Sequence, residues 1–517
     1  VDPTRRTFLA ATPLAAAPLL SPARRHVHRA APADPFTLGV ASGDPAPDGA
    51  VLWTRLAPRP LAEDGLGGMP HRDVTVEWQV AEDPRFARVV RRGRATARPG
   101  SAHTVHVEVT GLRPDADYHY RFRADGHVSP AGRTRTLPAP GSPTPLTFAA
   151  ASCANYEHGY FTAYRRLAEQ GPDLVVHLGD YLYEDASEPS REGRDAPPIV
   201  RRHGGGRCLT LADYRRRHAR YRTDPDLRAA HAAAPWAVTW DDHEIENNWA
   251  GDLPGTALPG FPARRRAAAR AYYEHMPLRP SAFRRGRVDL TRRLDWGGVA
   301  AVHLLDTRRF RSDQPCDDGV RAGCDDRLDE RRALLGPGQL RRLEAGLRGS
   351  PARWNVLAQQ VFLAQRDHRL GPGTELAMDG WDGYAAERSR LMGALTGARN
   401  PVVLTGDVHV AHACDLRADF DDPASPRTGV ELVATSIASD GDGYHDPAGN
   451  AAIRAENPHI AFVDQRRGFL LCRAGSGELR AEFHTVPYVS RRGAPSSVAA
   501  SFTIPDGARA LPAQATA

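Results

Sequence analysis

Between residues 146 and 405 the chain carries six short apolar runs, and almost every one of them stops at a compact polar motif. The runs cover 146–151, 174–178, 236–240, 299–305, 354–358 and 401–405. Apolar throughout rather than alternating, they read as strands buried on both faces. Arginine-rich helical stretches at 159–170, 263–274, 338–347 and 384–395 lie between several of them. Apolar strands alternating with helices predict a layered α/β domain. In such sheets ligands gather at the carboxyl ends of strands, so the polar motifs are expected to meet in space.

Those motifs are Ser152-Cys153-Ala154-Asn155, Gly179-Asp180-Tyr181-Leu182-Tyr183-Glu184, the run from Asp241-Asp242-His243-Glu244 to Asn247-Asn248, Leu305-Asp306-Thr307-Arg308, and Gly406-Asp407-Val408-His409. They pool carboxylates, phenols, a thiol, amides and imidazoles, a mixture of hard and borderline donors that suits Fe(III) beside a divalent ion. A cluster of that kind grips a phosphoryl group, acidifies a bound water to give a hydroxide nucleophile and offsets charge in the transition state. Each candidate has a plainer reading. Cys153 competes with an ordinary buried or disulfide-bonded cysteine, and Tyr183 competes with Tyr181 as the phenol. His177 and His303 lie inside apolar strands and read as core histidines. Asp306 and Arg308 either bind phosphate or brace their loop, and Trp381-Asp382-Gly383-Tyr384 either walls the cleft or forms a self-bonded turn.

The texture differs before residue 138. Short alternating segments at 51–54, 74–80 and 104–109, then Pro114 ahead of Tyr118-His119-Tyr120-Arg121-Phe122, predict a small all-β domain over 36–137 of fibronectin type III-like character. The proline-rich stretch 138–145 reads as a stiff linker, 146–504 as the catalytic domain, and 505–517 as a disordered tail. Residues 1–33 read as a twin-arginine export signal, with Arg5-Arg6 ahead of a short apolar run and small-residue cleavage candidates at Ala31-Pro32-Ala33.

All 68 basic residues are arginine, offset by 62 acidic ones and scattered rather than striped, so a stable nucleic-acid partner is not expected. No apolar run is long enough for a spanning helix. Of six cysteines, Cys316 and Cys324 close a short polar loop and are the favoured disulfide pair.

In this order the motifs Gly-Asp-Tyr-Leu-Tyr, Trp-Asp-Asp-His-Glu and Gly-Asp-Val-His resemble the alkaline phosphatase D (PhoD-like) family of the metallophosphoesterase superfamily. The resemblance extends from Gly39-Val40-Ala41-Ser42-Gly43-Asp44-Pro45 to Thr435-Ser436-Ile437 and Asn457-Pro458-His459-Ile460. It implies a metallophosphoesterase-type layered β-sandwich flanked by helices. It also implies a secreted phosphomonoesterase and phosphodiesterase that scavenges phosphate using Fe(III) and Ca(II). By resemblance, iron takes Cys153, the bridging Asp180, Tyr183 and His409. The second ion takes Asp242, Asp407 and Asn248, with Asn247 as the rival amide. His243 stabilises the transition state or protonates the leaving oxygen. A metal-dependent phospholipase D on the same site is the alternative, and a non-catalytic surface protein a more distant one. Expected partners are small phosphate esters or phospholipid head groups and the twin-arginine export machinery. The enzyme is expected to act as a monomer.

Overall fold

The structure, a computed structural model, describes residues 33–186 and 199–512. The expected export signal, but for residue 33, and residues 187–198 of the Arg/Pro/Gly-rich loop at 185–207 lie outside the described residues.

Two large sheets form the centre. One has nine strands, ordered Ser497–Pro505, Glu478–Val486, Arg467–Ala474, Leu146–Ala151, Leu174–His177, Pro235–Val238, Val40–Ala46, Gly49–Arg55 and Thr104–Val109. The other has seven, ordered Arg292–Trp296, Ala300–Leu304, Trp354–Ala358, Pro401–Thr405, Arg427–Val433, Ala411–Arg417 and Ile460–Asp464. Period-two geometry sends alternate residues of one strand to different cores. Phe148 and Ala150 pack between the sheets with Val302, Val356, Val402 and Leu404, while Ala149 and Ala151 face the outer core with Tyr164 and Trp236. Because both faces are covered, the runs carry no polar alternation. The predicted runs coincide with observed strands to within two residues at each end.

Helices Thr162–Glu169, Leu211–Arg222, Pro225–Ala233 and Phe261–His275 contribute to the core outside the nine-stranded sheet. Gly336–Arg348 and Ala385–Gly397 contribute to that outside the other. Two of these helices were not anticipated. Leu211–Arg222 starts at a capping box between Thr210 and Asp213, and Pro225–Ala233 has Asp224 accepting from the Asp226 and Leu227 N–H groups. The first buries Arg215, Arg217, His218 and Arg222 beside its tyrosines, so its inward face has no apolar periodicity to read.

The N-terminal β-region is present, but 138–145 does not set it apart. Its strand Val40–Ala46 pairs in parallel with Pro235–Val238, making three N-terminal strands the edge of the nine-stranded sheet. The remaining strands, Val74–Ala81, Val89–Ala97, Asp117–Ala124, His127–Val128 and Gly132–Arg135, form a five-stranded sheet that shares a core with them. At the junction Gly43 has no room for a side chain, since a Cβ would sit 2.5 Å from the Pro277 carbonyl oxygen and 2.6 Å from that of Trp236. The indole of Trp53 donates to the Glu274 carbonyl at 3.0 Å.

The C-terminal boundary also differs from expectation. Through residue 511 the segment after Pro505 is bonded to the body and not disordered: Asp506 accepts from Asn400 and Arg399, Arg509 donates to Thr428 and Ala398 carbonyls, and the Leu511 N–H bonds Asp415. A sulfur–sulfur bond joins Cys316 to Cys324. No described helix is long and apolar enough to cross a membrane.

Candidate metal centre

The polar motifs converge where the strands end. Backbone bonds lash the first two turns together, Cys153 N–H to the Gly179 carbonyl and Ala154 N–H to that of Asp180. Buried Glu244 ties in the third: its carboxylate accepts from the N–H groups of Asp180 (3.1 Å), Tyr181 (2.6 Å) and Asp241 (2.8 Å). Burial pushes Glu244 up to about 8, against those N–H donors. Cys153, Asp180, Asn248, Asp407 and His409 all have positive φ, between 52° and 65°. For non-glycine residues this left-handed backbone costs about 1 kcal/mol or more each and persists only where the surroundings enforce it.

Two triads of donor atoms result, each with all its atoms within 4.8 Å of one another: Cys153, Asp180 and His409, and Asp180, Asp242 and His243. Asp180 belongs to both. Tyr183 hydroxyl donates to Asp180 Oδ2 at 3.1 Å, lies 3.0 Å from His409 Nε2 and accepts from Ser439 at 2.7 Å. Tyr181 points elsewhere, its hydroxyl 3.1 Å from His231 Nε2 in the aromatic core. Asn248 donates its backbone N–H to Asp242 Oδ2 at 2.7 Å, whereas Asn247 is exposed. Asp407 Oδ1 sits 4.0 Å from Arg308, on the side of Asp242.

The electrostatics are those of a donor set built around cations. Burial, reinforced by Asp180, pushes the Cys153 thiol well up, and the same two causes raise Tyr183. Burial raises Asp180 far more than His243 can lower it, and raises Asp407 with help from Asp241 and Asp379. Asp242 goes the other way: burial is outweighed by Arg308 and His243, and it is held below the usual carboxylate range. His243 is desolvated, but Asp242, Glu184 and Asp180 more than compensate and hold it well above the ordinary histidine value. A thiol, a phenol and several carboxyls enclosed together ionise readily only when a cation shares the space, and this set fits iron-type and oxygen-loving ions.

Partners beyond the candidate ligands complete the site. Glu184 Oε2 lies 2.8 Å from His243 Nδ1 while its Oε1 accepts from the Asn247 N–H. Asp440, itself at φ 66°, holds His409 Nδ1 at 2.6 Å. Carboxylates on the far nitrogen of a histidine set its tautomer and ring orientation. Fully buried Arg308 pairs with Asp241 and bonds both oxygens of Asp379 at 2.7 Å. Glu184 and Glu244 stand inside quoted motifs, so their sequence signal was adjacency to a candidate ligand. Asp379 and Asp440 carried none. Of the residues left open, Asp306 braces its loop by accepting from the N–H groups of Arg308 and Arg309. Asp382 pairs with Arg388, His177 is bonded to Tyr164 in the core, and His303 lies against Gly346.

Comparison with known proteins decides the family. The PhoD-like phosphatase family matches residues 148–483, and its N-terminal domain matches 21–138. Alkaline phosphatase D of Bacillus subtilis (strain 168) is 47% identical over 476 residues, covering 90% of this chain and 80% of that protein.

This chain belongs to the PhoD-like phosphatase family.

It is accordingly a phosphoric-ester hydrolase. A solved structure described as PhoD superposes with a TM-score of 0.87 at 46% identity over 91% of this chain and 90% of that one. A purple acid phosphatase isolated from yellow lupin (Lupinus luteus) seeds matches at TM-score 0.54 and 14% identity, over 90% of this chain and 73% of that one, a likeness of fold alone. The fold is thus metallophosphatase-like, and the two clustered donor groups could each hold a metal ion.

Proposed function

We propose that this PhoD-like phosphatase is an exported phosphomonoesterase and phosphodiesterase holding Fe(III) at Cys153, Asp180, Tyr183 and His409, and Ca(II) at Asp180, Asp242, Asn248 and Asp407. The observation that supports this most directly is that Asp180 belongs to two donor groups, with Cys153 and His409 on one side and Asp242 on the other, beside His243, so that its carboxylate could serve two neighbouring ions. When bound, the ions supply the Lewis acidity that polarises the phosphoryl group and acidifies the attacking water. The protein supplies the geometry. Asp180 lies between the two positions, and Tyr183 and Cys153 would add a hard phenolate and a soft thiolate donor to one of them. His243, whose Nδ1 lies 2.8 Å from Glu184 Oε2 so that its ring is fixed, stands beside Asp180 and Asp242 where it would donate a proton to the leaving oxygen. Arg308 stays with the carboxylates and positions them.

Export by the twin-arginine route rests on Arg5-Arg6 and the apolar run that follows. Phosphate scavenging is the role that such an enzyme would serve, with small phosphate esters or phospholipid head groups as substrates.

The test is a visible spectrum with metal analysis of the exported protein and of Tyr183→Phe. We expect a charge-transfer band that is lost in the variant, and about one iron per chain. A panel of a monoester, a diester and phosphatidylcholine then separates phosphatase from phospholipase D action. A colourless, iron-free and fully active protein would sink the iron assignment.

A further inference from the structure

The loop closed by Cys316–Cys324 reaches back to the metal centre. Asn248 Nδ2 donates to Asp318 Oδ2 at 2.5 Å, and Gln314, two residues ahead of the disulfide, donates to the Asn248 carbonyl at 3.0 Å and to Asp379 at 2.7 Å. The loop is firmly built: Val320–Arg321 pairs with Leu376–Ala377, Met378 N–H bonds the Gly319 carbonyl, and Arg321 donates to the carbonyls of Cys316 and Asp317. Three consecutive residues, Cys316, Asp317 and Asp318, have φ between 54° and 60°. A run of left-handed non-glycine residues is strained, and here the disulfide, the strand pair and the arginine hold it.

An amide has one acceptor and one donor end. With Nδ2 engaged by Asp318 and the backbone N–H by Asp242, Asn248 is left with Oδ1 as its unengaged side-chain donor atom for a cation. Asp318 Oδ1 is itself buried without a hydrogen-bond partner, so this carboxylate's only described bond is the one to Asn248. We infer that Asp318, carried on the disulfide-closed loop, is a positioning residue that orients the Asn248 amide toward the second cation. The inference rests on the reading of Asn248 as a ligand of that ion. Without Asp318 the amide is no longer pre-set in the metal-free protein, and part of the cation's binding free energy goes into orienting it.

The test is calorimetric titration of calcium into the full-length, iron-loaded protein. Asp318→Ala is expected to weaken calcium binding about 10- to 100-fold, the range for removal of an outer partner of a ligand. Asp318→Asn, whose own carbonyl still accepts from Nδ2, is expected to retain most of the affinity. The double variant Asp318→Ala/Asn248→Ala is expected to bind no more weakly than Asn248→Ala alone, because the two act as one unit. Wild-type calcium affinity in Asp318→Ala, alongside weakened binding in Asn248→Ala, would overturn the inference and leave the metal assignment standing. Asp318→Asn as damaging as Asp318→Ala would also overturn it, since charge rather than orientation would then be what matters. If Asn248→Ala itself binds normally, the underlying ligand reading fails instead.

Discussion

The two halves of the metal centre share Asp180 and little else. On one side the Tyr183 hydroxyl meets His409 and Ser439, Asp440 holds the far nitrogen of His409, buried Arg467 donates to the His409 carbonyl, and burial drives the Cys153 thiol and the phenol toward their protonated forms. On the other side Asp242 and Asp407 stand with Asp241 and Asp379 around Arg308, a resident cation that already offsets part of their charge. The lesson is one of charge balance. Arg467 in the first half bonds backbone carbonyls and the Ser436 hydroxyl rather than a carboxylate, so its donors would suit a highly charged, borderline ion, whereas carboxylates already paired with the Arg308 guanidinium would suit a less charged, oxygen-seeking one.

Asp180→Asn attacks what the halves share and has the largest expected effect. It should empty both positions and lower kcat/KM by at least about 10⁴-fold, about 5.5 kcal/mol of transition-state stabilisation. Retention of one ion at full occupancy, measured by elemental analysis, would show that the halves are separate sites. Arg308→Met should act on one half alone. Leaving four carboxylates around an uncharged side chain should destabilise the metal-free protein by about 3 kcal/mol or more. Calcium should restore much of that in thermal melts, while the iron content stays unchanged. A melt insensitive to calcium would break the charge-balance account.

Glu184→Gln sharpens the distinction between holding metals and aiming a proton donor. It should lower kcat about tenfold, the low end for an outer partner of a site histidine, with iron and calcium contents unaltered. His106→Gln serves as the control outside both halves. His106 Nε2 bridges the Tyr273 and Met276 carbonyls at the junction of the N-terminal strands with the helix Phe261–His275, and burial lowers the imidazole to about 4. Unfolded histidine titrates near 6.5. The folded state therefore binds fewer protons in between, and this contribution to stability is full above about pH 6.5 and lost as pH falls toward 4. Glutamine keeps the donor and does not titrate, so the variant should lose a modest part of the acid slope in denaturant titrations at several pH values, with activity untouched.

The strands were legible because fully buried segments of an α/β sheet are apolar throughout, and those at 146–151, 354–358 and 401–405 begin and end where the runs do. The helix Leu211–Arg222 was not legible, because its buried face is arginine, histidine and tyrosine. Nor was the merging of N-terminal strands into the catalytic sheet, since a proline-rich linker looks the same whether its flanks pair or separate. Within the site, motif order pointed to Cys153, Asp180, Tyr183, Asp242, His243, Asn248, Asp407 and His409, and the structure brings all eight to one end of the strands.

By itself the sequence determined the chemistry available, the order of its carriers and the family, because short motifs at strand ends carry their residue types wherever the chain goes. Only the tertiary structure decided which of two tyrosines meets Asp180, which of two asparagines sits on Asp242, and that Glu184, Arg308, Asp318 and Asp440 hold them in place. Those choices depend on bonds between residues far apart in the chain, such as the 226-residue span from Tyr183 to His409. They depend equally on left-handed turns that the local sequence disfavours and that the packed surroundings impose.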